Sequence, residues 1–161
     1  MSASAGLDLA LEHWTGPALA QVVEAELGPE GPGEGHRVSP FSMTSVILAG
    51  AIPMPSLLGP LLPLCVQSPV LVKPASRDPV TPGLLAESLA EGDPELGRCM
   101  EVGSFKSDDE ESLGRFLAAE CVVARGADET IAALAGRIRP RQRFVPYGHK
   151  QSLALGRADS C

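Results

Sequence analysis

Apolar residues along this chain fall into short, mostly uncharged runs separated by stripes at helical spacing, and that alternation predicts its elements. Ser45–Leu48, Val70–Val72, Cys99–Phe105, Cys121–Ala124 and Arg143–Tyr147 are brief runs bounded by turn formers, as strands held inside a sheet are. Ser56–Val66 is apolar almost throughout and predicts a helix bent near Pro60 and Pro63. Thr81-Pro82 opens a second helix, with Leu85 and Leu89 on one face as far as Glu91, and Asp93-Pro94 turns the chain. Ser107 and Glu110 have the spacing of a capping box, followed by the apolar face of Leu113, Phe116 and Leu117. Ile131, Leu134 and Ile138 line the next helix, where Arg137 and Arg139 suit the negative end before Pro140 stops it. Strands alternating with helices of this length predict an α/β fold: a doubly wound, mostly parallel sheet of about five strands.

An N-terminal helical segment stands apart from this alternation. Leu19, Val22, Val23 and Leu27 share one helical face, with Thr15 placed to cap it, Pro17 in its first turn and Gly28 at its end. Gly28-Pro-Glu-Gly-Pro-Gly-Glu-Gly35 then reads as a linker. The expected division is residues 1–37 as helix and linker, 38–155 as the α/β domain and 156–161 as a polar tail.

Composition removes several classes of function. Val38 to Val72 carries no charged residue, but six prolines from Pro40 to Pro69 would break one continuous helix, so no membrane span is expected. A formal net charge of −7 without a basic cluster speaks against a nucleic-acid partner. Cys65, Cys99, Cys121 and Cys161 show no C-x-x-C pair, and the first three lie in or beside apolar runs as buried thiols would. Asp8, Glu12 and His13 interrupt any secretory signal. Together these predict a cytoplasmic, reducing setting. His13 and His36 have no ligand spacing and read as surface residues.

Candidate chemistry gathers where strands end. Ligands of open parallel sheets bind beyond the carboxyl ends of the strands, which draws attention to Lys73, Ser76 and Arg77 in Val70-Leu-Val-Lys-Pro-Ala-Ser-Arg-Asp-Pro79. Gly126-Ala-Asp-Glu129 is a second place for an anion, since a strand there turns into a helix with free N-terminal amides. No G-x-G-x-x-G or G-x-x-x-x-G-K-[ST] is present. Local chemistry alone leaves Lys73 open to being an ordinary exposed lysine and His149 to being a solvated loop residue.

The order of four motifs adds more. Ala49-Gly-Ala-Ile-Pro53, Val70-Leu-Val-Lys-Pro-Ala-Ser76, Gly126-Ala-Asp-Glu129 and Tyr147-Gly-His-Lys150 resemble the cofactor half of the aldehyde dehydrogenase superfamily. The nearest likeness is to acyl-CoA reductases of the bacterial bioluminescence fatty-acid reductase type, over roughly Val46 to Leu153. The resemblance implies a Rossmann-like domain that binds NADPH, with NADH as the alternative, and reduction of a fatty acyl thioester to an aldehyde. Lys73 would contact the adenine-side ribose, and Ser76 stands where the family often has glutamate. Arg77 is placed to pair with a 2′-phosphate. Gly126, Ala127 and Glu129 would lie beside the pyrophosphate, and Gly50 along the cofactor groove.

Two departures set the expectation for activity. Ala51 replaces the family's usual oxyanion-holding asparagine. The family's nucleophilic cysteine lies in a domain beyond the Gly-His-Lys motif, and Cys161 stands in a polar tail. The chain is thus expected to be a truncated or split form, inactive alone, that self-associates or meets a separate catalytic half. The alternative is a non-catalytic remnant serving as an interaction module.

Overall fold

In the computed structural model the described residues are 12, 14–27, 39–50, 53–106 and 108–149. They form helices α1 (Gly16–Leu27), α2 (Pro53–Cys65), α3 (Thr81–Gly92), α4 (Pro94–Gly97), α5 (Glu110–Phe116) and α6 (Asp128–Ala135). The strands are β1 (Thr44–Ile47), β2 (Val70–Lys73), β3 (Met100–Val102), β4 (Cys121–Arg125) and β5 (Arg143–Tyr147). The five-stranded sheet has the order β3-β2-β1-β4-β5, and every neighbouring pair is parallel. This is an α/β, Rossmann-like, doubly wound architecture. The chain winds outward from β1 to β3, crosses back to β4, and winds outward again to β5. Right-handed crossovers send α2 and α3 to one face and α5 and α6 to the other.

Each face has its own core. Val46, Leu48, Val70, Val72, Ala75 and Met100 pack under Leu64 of α2 and Leu85 and Leu89 of α3. On the opposite face Ile47, Val122 and Ala124 meet Leu113, Phe116 and Leu117 at α5 and Leu134 of α6. Strand β1 is buried along its whole length, and its two hydroxyls are satisfied there. Thr44 and Ser68 share a hydrogen bond of 2.7 Å between their oxygens, and Ser45 Oγ donates to the Phe116 carbonyl at 2.6 Å. The second bond ties the end of α5 to the central strand. Gly59 lets α2 lie close on β1: a Cβ there would stand 3.2 Å from Leu48 Cδ2 and 3.4 Å from Val46 Cγ1.

Several boundaries differ from those the sequence predicts. Helix α2 begins at Pro53, three positions earlier than expected, and continues through Pro60 and Pro63. Pro60 is wholly buried, and its packing offsets the backbone hydrogen bond a proline removes. Asp93-Pro94 opens α4 rather than a simple turn, because the Asp93 carboxylate accepts from the Glu95 and Leu96 amides at 2.9 and 3.2 Å. Strand β3 is shorter than the Cys99–Phe105 run. Phe105 leaves the sheet to stack against Phe116, with ring centroids 5.5 Å apart. Ser107 lies outside the described residues, and α5 is capped by Asp109, which accepts from the Ser112 amide at 3.0 Å. Helix α6 stops at Ala135, with Ile138 packing on the core beyond its end. Of the predicted core thiols Cys121 is buried, whereas Cys65 and Cys99 are only half-buried.

At α1, Thr15 Oγ1 accepts from the Ala18 amide at 3.4 Å, as its cap position predicts. No α1 residue is buried, and Val22 is 41% exposed. The predicted stripe therefore rests on the domain only through its half-buried members Leu19, Val23 and Leu27. At the opposite edge, Arg143 N donates to Glu120 O at 2.8 Å and Tyr147 O accepts from Gly126 N at 3.3 Å. Odd-numbered residues of β5 thus face β4, and Pro146 faces outward, where its missing N–H breaks no ladder bond and blunts the free edge. No described helix is long and apolar enough to cross a membrane.

Candidate functional site

The carboxyl ends of β2, β1 and β4 bring the predicted site residues to one rim. Lys73 closes β2, in register with Ile47 of β1, and Ile47 is in register with Ala124 of β4. At the usual strand spacing, Lys73 and Ala124 stand roughly 10 Å apart across β1. The winding of the sheet reverses between β1 and β4, and that reversal opens a crevice. Gly50 follows β1 with φ +88°, a left-handed conformation that favours glycine. Gly126 follows β4, where a Cβ would meet only the Thr130 side chain, at 3.5 Å. Packing below the turn therefore leaves this position free to vary. Ala51 lies outside the described residues.

Two cavities meet at Lys73. The larger, an open groove of about 580 Å³, is lined by Lys73, Ser76, Ser104, Phe105, Lys106 and Asp108. The smaller, about 210 Å³, runs between α5 and α6 and is walled by Ile47, Leu113, Thr130, Ala133 and Leu134, with Arg137 and Lys73 at its edges. Charged and hydroxyl groups surround the Phe105 ring in the larger, whereas the smaller is mainly apolar, so the pair suits a ligand with a flat apolar part and a charged part. Lys73 Nζ stands 5.2 Å from the Phe105 ring centroid, a cation–π contact that orients it toward the groove.

Ser76 and Arg77 form the tip of a tight turn. Ala75 and Asp78 bridge across it, with Asp78 N donating to Ala75 O at 3.0 Å. Asp78 then anchors the turn, because its carboxylate accepts from Ser56 Oγ of α2 at 2.8 Å and from the Thr81 amide at the start of α3 at 3.1 Å. Burial pushes the Asp78 carboxyl up, but the hydrogen bonds from Thr81 and Ser56 outweigh it and hold the pKa below its ordinary value. Both are exposed, and Ser76 lines the groove whereas Arg77 lies outside its wall.

On the far side of the crevice, Ala127 is the N-cap of α6 and supplies no side-chain cap. Asp128 in the first turn is engaged elsewhere, accepting from the His149 amide at 2.8 Å. That bond joins the Gly-Ala-Asp-Glu turn to the Gly-His-Lys segment, of which Lys150 lies outside the described residues. A Cβ at Gly148 would meet the Asp128 carboxylate, the end of an exposed side chain that would have to swing aside and give up this bond. Glu129 is exposed.

No described group is arranged for acyl transfer. Burial pushes the Cys65 and Cys121 thiols up in pKa, away from the thiolate a nucleophile needs. Cys161, His13 and His36 lie outside the described residues. Among the described residues no cluster of three or more His, Cys, Asp or Glu is placed to hold a metal ion.

The sequence reading missed Ser104, Lys106, Thr130 and Arg137 as lining residues, and Asp78 with Ser56 as the support of the turn. Arg137 had a local signal as a helix-end cation. It instead forms a two-pronged pair with Glu110 of α5 at 2.6 and 3.1 Å, closing the smaller cavity at one end.

A five-stranded, doubly wound parallel sheet with its crevice at the reversal of winding defines a Rossmann-like class of α/β protein. Within that class the chain belongs to the acyl-CoA reductase (LuxC) family, whose model matches residues 32–160. No curated protein sequence matches it. Among solved structures it is similar to a NAD-dependent benzaldehyde dehydrogenase from Corynebacterium glutamicum, with TM-score 0.57 and 20% identity over 81% of this chain and 32% of that one. It is also similar to a salicylaldehyde dehydrogenase from Pseudomonas putida G7, with TM-score 0.53 and 15% identity over 66% of this chain and 23% of that one. The chain thus spans about a third or less of the length of these enzymes, and at such identities the likeness concerns the fold.

Proposed function

We propose that this chain is the nicotinamide-cofactor-binding part of a fatty acyl-CoA reductase and that it holds NADPH in preference to NADH. The observation that carries the reading is Lys73, which stands at the junction of an apolar slot and a polar groove beside the reversal of winding. The slot between α5 and α6 suits an adenine ring. Lys73 would hold the adjoining ribose by charge-assisted hydrogen bonds, with Ser76 leaving room for a 2′-phosphate that a glutamate would repel. Gly126 and the uncapped amides at Ala127 and the start of α6 would take the pyrophosphate. Gly50 would let the β1 loop pass close to the cofactor. When bound, the nicotinamide supplies the hydride that turns an acyl thioester into an aldehyde.

Family membership supports residues 38–155 as the cofactor half, with the acyl-transfer cysteine supplied by a catalytic half. On the α2 face a cavity of about 230 Å³ lies between α2 and strands β4 and β5, and Phe41, Leu62 and Tyr147 in its wall are each 38–39% exposed. Strand β5 leads the chain out at that rim, which makes this face the expected seat of the catalytic half.

Titration of NADPH against the full chain, followed by cofactor fluorescence, tests the reading. Saturable binding is expected, weakened at least tenfold by Lys73→Ala, the order of a lost charge-assisted hydrogen bond. The absence of saturable binding by the wild-type chain would favour the second reading, a non-catalytic interaction module that keeps the fold through its two cores.

A further inference from the structure

We infer that Lys106, in the segment between β3 and α5, is the residue that sets the preference for a 2′-phosphorylated cofactor. This rests on the cofactor reading above and names a determinant outside the strand-end motifs. Lys106 lines the same groove as Lys73 and Ser76, whereas Arg77, next to Ser76 in sequence, does not. The two lysines approach from different strands: Lys73 from the end of β2 and Lys106 from the segment after β3.

The segment that carries Lys106 is fixed by its neighbour. Phe105 is half-buried, stacked on the buried Phe116 at 5.5 Å, and it lies under the Lys73 ammonium at 5.2 Å. Phe105 therefore positions Lys73 by direct contact and anchors the backbone next to Lys106. On the third side stands Ser76, on the turn that Asp78 clamps to α2 and α3. The groove wall thus carries two ammonium groups, the Ser76 and Ser104 hydroxyls, and one carboxylate, Asp108. A dianionic phosphate fits between two ammonium groups and a hydroxyl, and Asp108 suits a ribose hydroxyl, which donates to a carboxylate. A ribose without the phosphate needs Lys73 alone, so Lys106 acts on one cofactor and leaves the other untouched.

The test uses the full chain and four probes: NADPH, NADH, 2′,5′-ADP and 5′-AMP, measured by calorimetry at low and moderate salt. Lys106→Ala should weaken NADPH and 2′,5′-ADP about tenfold and leave NADH and 5′-AMP within twofold, while Lys106→Arg keeps the preference and Arg77→Ala changes neither. The NADPH affinity of the wild-type chain should also fall more steeply with salt than the NADH affinity, a difference that Lys106→Ala removes. Equal losses for both cofactors in Lys106→Ala, no loss for either, or a collapsed preference in Arg77→Ala would overturn the assignment while leaving the cofactor site standing. Failure of all four probes to bind the wild-type chain would defeat the site itself, and Lys106 with it. Thermal melts of each variant separate these outcomes from loss of fold.

Discussion

Replacing Asp78 by alanine should loosen the turn that presents Ser76, and the size of the effect follows from its contacts. The carboxylate accepts from Ser56 Oγ and from the Thr81 amide, at 2.8 and 3.1 Å. Hydrogen bonds to a charged group contribute about 1.5–3 kcal/mol each, and partial exposure of Asp78 takes both toward the low end. Water can reach the Thr81 amide once the carboxylate is gone, whereas Ser56 is 4% exposed and would keep a buried, unsatisfied hydroxyl. We therefore expect a loss of about 2 kcal/mol for Asp78→Ala. Urea unfolding at pH 7 reads it as a lower midpoint with unchanged slope. A double cycle with Ser56→Ala should show about 0.5–1.5 kcal/mol of coupling between the two side chains. The pH dependence provides a second reading. The folded pKa of Asp78 lies below its ordinary value, so the stability it supplies is full above the unfolded pKa of about 3.9 and is lost as pH falls through the folded value. Asp78→Ala should flatten the stability profile in that acid window and leave the slope between pH 5 and 8 alone. An unchanged urea midpoint, or zero coupling with Ser56, would refute the claim that this carboxylate holds the turn.

Other outcomes can be measured with the same protein. Gly97→Ala should cost about 1–3 kcal/mol, because its Cβ would stand 2.5 Å from the Ala90 Cα, where backbone must move; a melting temperature equal to the wild type would contradict the close α3–α4 contact. Ser76→Glu should shift cofactor preference toward NADH by like-charge repulsion of a 2′-phosphate, and identical NADPH and NADH titrations in both proteins would count against it. The purified chain given NADPH and a long-chain acyl-CoA should form no aldehyde above background, since burial holds the Cys65 and Cys121 thiols protonated and neither lines the groove at Lys73; robust turnover would contradict this.

The fold was legible because its signals are local and repeated. The Val70–Val72 and Cys121–Ala124 runs each end at a residue the sheet can no longer bury, Lys73 and Arg125, so strand and site share one signal. The same logic found Gly126 and the start of α6. Lys106 was invisible for the opposite reason: its role depends on Phe105 leaving β3 to reach Phe116, a tertiary contact that the alternation around Val102 does not encode. Asp78 carries no local signal of its role, because Ser56, its buried partner, lies 22 positions earlier and on α2. The capping box at Ser107 falls outside the described residues, and the cap that is described comes from Asp109, whose carboxylate accepts from the Ser112 amide.

The placement of β1 between β2 and β4 also governs the order in which this chain can assemble. Strand β1 meets β2 soon after both exist, but its other edge waits for β4. The bond from Ser42 N to the Glu120 carboxylate beside that pairing spans 78 residues. Closing so long a loop carries an entropy cost that local contacts cannot repay, and parallel sheets with distant partners fold slowly. During synthesis the apolar edge of Thr44–Ile47 therefore stays open until Cys121–Arg125 emerges, a period in which it can join the wrong strand. The crevice beside Lys73 comes into being with that pairing of β1 and β4, before β5 completes the sheet.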